Sequence, residues 1–320
     1  MRRHKSEQGG SLAIKKDRDV QVWLRESIPT TACILLVPLI GMCLYALMAV
    51  GYSLIYSLLN FTNFAHSLTV TLGAFVAFFV TSTALQNLTV GILAAVAVAG
   101  AAAMLIQKTA YSPLLKKNVR RIYLTIAGLG TVTIGENLMI IGFTSRFRAY
   151  PVNFSGDMIS IFGASVGEVD LIIFLLSVVA LVAVEILIQK TRFGLAIRGA
   201  SYDLNTTAIM GVNIQRLILT VFLVAGSLAG LAGALLGAKY TAYPMLGASM
   251  TNKAFVSAVV GGLGSIPGAV VGAMILGIGE TMIAGYISSS LRDLFAYMML
   301  VIILIVRPVG IMGRSSEDKA

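Results

Sequence analysis

The sequence predicts an all-α fold, a polytopic helical bundle of about eight or nine membrane spans. Three observations point there. Between Glu26 and Lys108 no side chain is formally charged, and at roughly 20 residues per crossing that stretch spans a bilayer three times. Apolar runs of similar length recur along the rest of the chain, apolar on every face where barrel strands would alternate. Of the 320 residues, 57% are hydrophobic and 12% charged, which leaves almost nothing for a soluble domain.

In chain order, residues 1–27 are a polar, basic extension, too long and polar for a signal peptide. One membrane domain follows over 28–313, and 314–320 is a short tail. Apolar runs near 32–58, 64–84, 88–107, 122–143, 169–189, 217–238, 253–284 and 292–312 are the expected spans. Cys33 and Cys43 share the first run, about 15 Å apart along a helix and so beyond disulfide reach. The loop 108–121 carries Lys108, Lys116, Lys117, Arg120 and Arg121 without an acid. The loop 190–216 carries Lys190, Arg192, Arg198 and Arg216 against Asp203 alone. Both read as cytoplasmic, and the mixed-charge segment 144–168 between them reads as external. The net charge of +10 therefore reflects topology rather than nucleic-acid binding. The N-terminus poses a conflict. Seven Lys and Arg precede Ser27 and favour an internal start, yet three apolar runs precede Lys108. Either one segment in each half is re-entrant or the N-terminus lies outside.

Two interrupted segments, near 58–67 and 261–268, stand in corresponding halves, the pattern that points to a transport pathway. The first places Asn60, Thr62, Asn63, His66 and Ser67 between apolar runs. It reads either as a kinked helix end facing a polar pathway or as a loop at the membrane surface. In the second, Pro267 removes the helix bond to the Leu263 carbonyl and is expected to break the run. Asn63, His66, Ser67, Ser265 and Pro267 are the pathway candidates. Gly264, Gly268 and Gly272 fall four apart, as do Gly226/Gly230 and Gly233/Gly237, spacings that suit close helix packing. From Arg198 to Gly211 a short helix is expected, with Ser201 as N-cap and Gly211 as C-terminal stop. Its apolar stripe of Leu204, Ala208 and Ile209 either docks on a partner or lies on the membrane. Glu136 and Glu280 are the candidate intramembrane acids, and Glu185 sits beside Lys190 and Arg192. The chain has no Walker-type phosphate loop, and its two histidines, His4 and His66, make a metal centre improbable. No nucleophile–base set is visible, so enzymatic activity in this chain itself is not expected.

Several strings together resemble the permease subunit of the branched-chain amino acid ABC importers. They are Gly51-Tyr52, Asn63-Phe64-Ala65-His66, Tyr111-x-Pro113, the Gly194–Gly211 loop, Lys253-Ala254-Phe255, Gly261-Gly262-x-Gly264-Ser265-Ile266-Pro267-Gly268-Ala269 and Arg307-Pro308-x-Gly310. Ser67 stands where the family usually has Gly, and Asn205-Thr206-Thr207 where it has Glu-Ala-Ala. The resemblance implies a second, related permease, two cytoplasmic ATPases and a periplasmic or lipid-anchored binding protein as partners. It also implies that Arg198, Leu204, Ala208, Ile209 and Gly211 belong to the loop that couples to the ATPase. On this reading the chain imports branched-chain amino acids across a bacterial or archaeal inner membrane. It binds no cofactor itself, since ATP and Mg sit on the partner subunits. Urea, short amides or another amino acid remain alternative cargoes, and an ion-coupled carrier is a more distant alternative.

Overall fold

The computed structural model describes residues 41–83, 87–117, 119–151, 158–161 and 164–313. Among the described residues eight helices are long and apolar enough to cross a membrane, which makes the chain a multi-pass membrane protein. They are α1 (Gly41–Leu59), α2 (His66–Thr83), a rod from Leu88 to Lys116, α5 (Arg121–Phe143), α6 (Glu168–Lys190), α9 (Ile214–Lys239), α11 (Ile266–Tyr286) and the last, Ser289–Val306. The rod comprises α3 (Leu88–Ile106), one π-helical turn at Gln107–Tyr111 and α4 (Ser112–Lys116). The last span is a 3-10 turn followed by α12 (Arg292–Val306). Three shorter helices complete the set: α7 (Arg192–Tyr202), α8 (Leu204–Ile209) and α10 (Leu246–Gly261). A small hairpin, β1 (Met158–Ile161) with β2 (Ala164–Gly167), pairs antiparallel in the register Met158↔Gly167.

The expected run 253–284 resolves into two elements, α10 and α11, separated by residues 262–265. At 16 residues α10 is about 24 Å long, short of the ~30 Å hydrocarbon core. At the centre α2, α3 and α9 pack against one another, and small residues set the spacing. A methyl group on Gly233 would sit 2.0 Å from the Val70 carbonyl oxygen, and one on Gly230 would sit 2.5 Å from that of Ala95. Gly226 meets Ala99 and Ala103 in the same way, whereas Gly237 faces the Tyr150 ring. Without a hydrophobic drive between helices in lipid, such close backbone approach is what van der Waals packing requires.

Two faces can be told apart. On one, the end of α1, the α6–α7 corner with Arg198 and the segment before Gly313 converge, so this is the face of the basic 190–216 loop. At the opposite face Lys239 pairs with Asp170 at 2.8 Å. There Arg148 forms an antiparallel bridge to Ala242 and donates to the Phe143 carbonyl at 2.8 Å. Accordingly α1 runs toward the basic face, so the chain at Gly41 stands at the opposite one. This accounts for the three crossings before Lys108; residues 1–40, Cys33 and the basic extension included, lie outside the described residues. Cys43 is buried in α1.

Candidate functional site

The first break is made by Asn60, whose left-handed φ of 51° ends α1 while its N–H still donates to the Tyr56 carbonyl at 2.8 Å. Asparagine tolerates that conformation better than other side-chain-bearing residues. From there the chain turns inward. Phe61, Asn63, Ala65, His66 and Ser67 are all buried, so the segment is interior and not a surface loop. Tyr111, presented by the π turn, donates its hydroxyl to Asn63 Oδ1 at 2.6 Å. Its ring is held between Phe61 and Phe222, at centroid distances of 5.1 and 5.6 Å. Behind it Gly128 of α5 leaves room for the hydroxyl, which a methyl there would meet at 2.8 Å. The His66 ring rests against Gly51 and stands edge-on to Tyr52. Its Nε2 has no hydrogen-bond partner among the described residues. A cavity of about 10 Å³, lined among others by Asn63, His66, Thr69 and Phe222, is near the volume one water needs. Ser67 donates to the Phe64 carbonyl at 3.0 Å, and Gly247 at the start of α10 packs on the Ser67 carbonyl.

The second break has a different cause from the one expected. Gly262 and Gly264 adopt φ of 112° and 86°, and α11 begins only at Ile266, capped by Ser265 Oγ accepting from the Gly268 N–H at 3.2 Å. Pro267 therefore occupies the first turn of α11, where no backbone N–H is needed; it starts a helix and does not break one. Gly264 lies in the break, nearest Ser57, and is not part of a helix face. Gly268 and Gly272 do meet α10, at Gly261 and Ser257. A cleft of about 480 Å³ opens here, lined among others by Asn60, Glu185, Arg198, Tyr202, Ser265 and Pro267. Both breaks thus meet the end of α1, but the pathway candidates divide between an interior pocket and this cleft.

The 198–211 segment is two helices and not one. Thr191 caps α7 by accepting from the Gly194 N–H at 3.1 Å. Gly194 lies so close to the Ile188 backbone that a methyl would fall 2.0 Å from its carbonyl oxygen. Arg198 donates to Gln189 Oε1 at 3.0 Å. Asp203, not Ser201, is the N-cap of α8: its carboxylate accepts from the N–H groups of Asn205 and Thr206 and from the Thr206 hydroxyl. These donors hold its pKa below the ordinary 3.8. Ser201 instead donates back to the Arg198 carbonyl at 2.7 Å. Leu204 packs on the core, so the expected stripe is split. Ala208 is exposed, as are Ile209 and Met210 at 84% and 80%. Gly211 closes the helix with φ of 90°. The Asp203 cap was legible as an Asp three residues before Thr206, but the better-placed Ser201 masked it.

A fourth constellation was missed from sequence. Lys253 of α10 pairs with Glu280 of α11 at 3.0 Å and with Asp293 of α12 at 2.9 Å. Tyr45 donates to Glu280 Oε2 at 2.9 Å. A lysine inside an apolar run was the available signal, since such a charge needs a nearby counter-charge. Glu136, the other acid considered, sits on α5 with Oε1 unpartnered among the described residues.

The family model described as branched-chain amino acid transport system / permease component matches residues 35–304. The high-affinity branched-chain amino acid transport system permease protein LivH of Escherichia coli is 32% identical over 288 residues, 86% of this chain and 93% of that one. BraD of Pseudomonas aeruginosa, named in the same way, is 31% identical with the same coverage. Among solved structures, PsaBC from Streptococcus pneumoniae in complex with Fab aligns over 86% of this chain and 92% of that one at 13% identity, with a TM-score of 0.47. That likeness is too distant to carry an argument. The chain belongs to the family of permease components of branched-chain amino acid transport systems.

Proposed function

We propose that this chain is the membrane permease subunit of an ABC importer that moves branched-chain amino acids into the cytoplasm. The observation that carries the reading is the family match across 35–304. The geometry supplies a mechanism. On the basic face, cytoplasmic by the positive-inside rule, α8 and its following turn expose Ile209 and Met210 to solvent. An apolar patch rimmed by polar residues suits a protein partner, here a cytoplasmic ATPase. The preceding helix, α7, is fastened to α6 through Gly194 and Arg198 and forms one wall of the cleft that reaches both breaks. Force applied at α8 therefore reaches the cleft at Asn60 and Ser265 through α7. Asn63, His66 and Ser67 form the inner part of the pathway, and Ser265 and Pro267 its cytoplasmic mouth.

The working complex adds a second, homologous permease, two ATPase subunits and a periplasmic or lipid-anchored binding protein, in the inner membrane of a bacterium or archaeon. Hydrolysis takes place on the ATPases, which hold the ATP and Mg; this chain binds no cofactor and performs no covalent chemistry. Co-expression with the candidate ATPases tests the reading. Wild type should purify with them, and Ile209→Asp should not. Retention of the ATPases by Ile209→Asp, with unchanged uptake, would reject the coupling surface.

A further inference from the structure

We propose that the cleft between α10 and α12 is a substrate subsite for an aliphatic zwitterion, with Lys253 holding its carboxylate and Asp293 its ammonium; this rests on the importer reading above. An exposed acid and a half-buried lysine meet at this cleft, which offers one charge of each sign to a ligand. Lys253, 18% exposed, is already neutralised by Glu280, 6% exposed, and Tyr45 satisfies the second Glu280 oxygen. Asp293, 71% exposed, is a second acid leaning on the same ammonium at 2.9 Å. Arg292 stands close enough to act on Tyr45 of the same cluster, so two cations face two acids and a ligand bearing a single charge, anion or amine, would upset that balance. A zwitterion entering between Lys253 and Asp293 replaces one ion pair with two and adds no net charge. Such an exchange avoids leaving a desolvated charge unpaired.

The rest of the cleft fits the other end of such a molecule. It has a volume of about 390 Å³ and sets Met250, Val256, Ala296 and Tyr297 beside the charged pair. That volume lies within the ~300–1,000 Å³ typical of small-ligand pockets, which are mostly apolar with a few orienting polar groups. Asn252 and Ser249 line the cleft and are exposed, supplying neutral hydrogen-bonding groups at its edge. Together these features select a small amino acid with a hydrocarbon side chain over a sugar, an anion or a bare amine.

The test uses the full complex in proteoliposomes with its binding protein, ATP and labelled leucine. Asp293→Asn should lower leucine uptake at least tenfold, and Asp293→Glu should recover a third or more. In a version with Cys33 and Cys43 replaced, Asn252→Cys should react several-fold more slowly with a thiol reagent when leucine is being transported. Adding Asp293→Asn should abolish that protection, a result a purely structural ion pair would not give. Wild-type uptake by Asp293→Asn, equal loss in the Asn and Glu variants, or absence of protection overturns the subsite. Failure of the wild-type complex to import leucine at all refutes the importer reading instead.

Discussion

The hydrogen bond from Tyr111 to Asn63 should hold the first break in place, and its removal can be quantified. Both residues are buried and the bond is 2.6 Å long. Asn63→Ala removes the acceptor of the Tyr111 hydroxyl, and Tyr111→Phe leaves the Asn63 oxygen without its donor. Each should cost about 1–3 kcal/mol, the penalty for a buried group left unpaired. The double variant removes both groups and should cost less than the sum, with a coupling energy of about 1 kcal/mol or more. Since ~1.4 kcal/mol is tenfold in an equilibrium constant, a 2 kcal/mol loss is about 30-fold in the folded-to-unfolded ratio. Reversible unfolding in mixed micelles gives the energies, and leucine uptake by the same variants reports on the pathway. Two single costs below about 0.5 kcal/mol that simply add would refute the reasoning, because independent sites behave that way.

Three further outcomes follow from the geometry. Leu204→Asp should destabilise the chain because Leu204 packs on the core, whereas Ile209→Asp should leave thermal stability unchanged and reduce ATPase co-purification and uptake. Pro267→Ala should change stability by less than about 1 kcal/mol, since Pro267 occupies a first-turn position. Gly262→Ala should be far more damaging, because its φ is 112° and its added methyl would fall 2.3 Å from the Gly313 nitrogen; unfolding midpoints compare the two. The α8 cap should survive mild acid: the Asp203 pKa lies below 3.8, so its stabilising contribution is full at higher pH and is lost only as pH falls through that lowered value. Asp203→Asn should remove this low-pH transition in ATPase binding.

What the sequence revealed, and what it hid, follows from how local each cause is. Apolar runs are local, so the spans and both interruptions were readable from residues such as Asn60, Asn63 and Gly261–Gly268. Depth is not local: nothing in the string Asn63-Phe64-Ala65-His66 says that it lies beside Tyr111 and Phe222. The π turn that presents Tyr111 has no compositional mark. In the second break, Pro267 drew attention as the residue with the familiar disruptive chemistry, while the positive φ of Gly262 and Gly264 did the breaking. Lys253 stood out as a charge inside an apolar run, but its partners were hidden because Glu280 and Asp293 come from two later helices. The direction of α1 was obscured by basic residues at the start of the chain, which the described part of the structure does not include.

Purified with its partner subunits and binding protein and sealed into proteoliposomes, the complex can be assayed for leucine uptake under two energy sources. The account predicts uptake that requires ATP on the side of the 190–216 loop and persists when proton and sodium gradients are collapsed. Uptake sustained by an ion gradient without ATP would contradict it and make the chain an ion-coupled carrier.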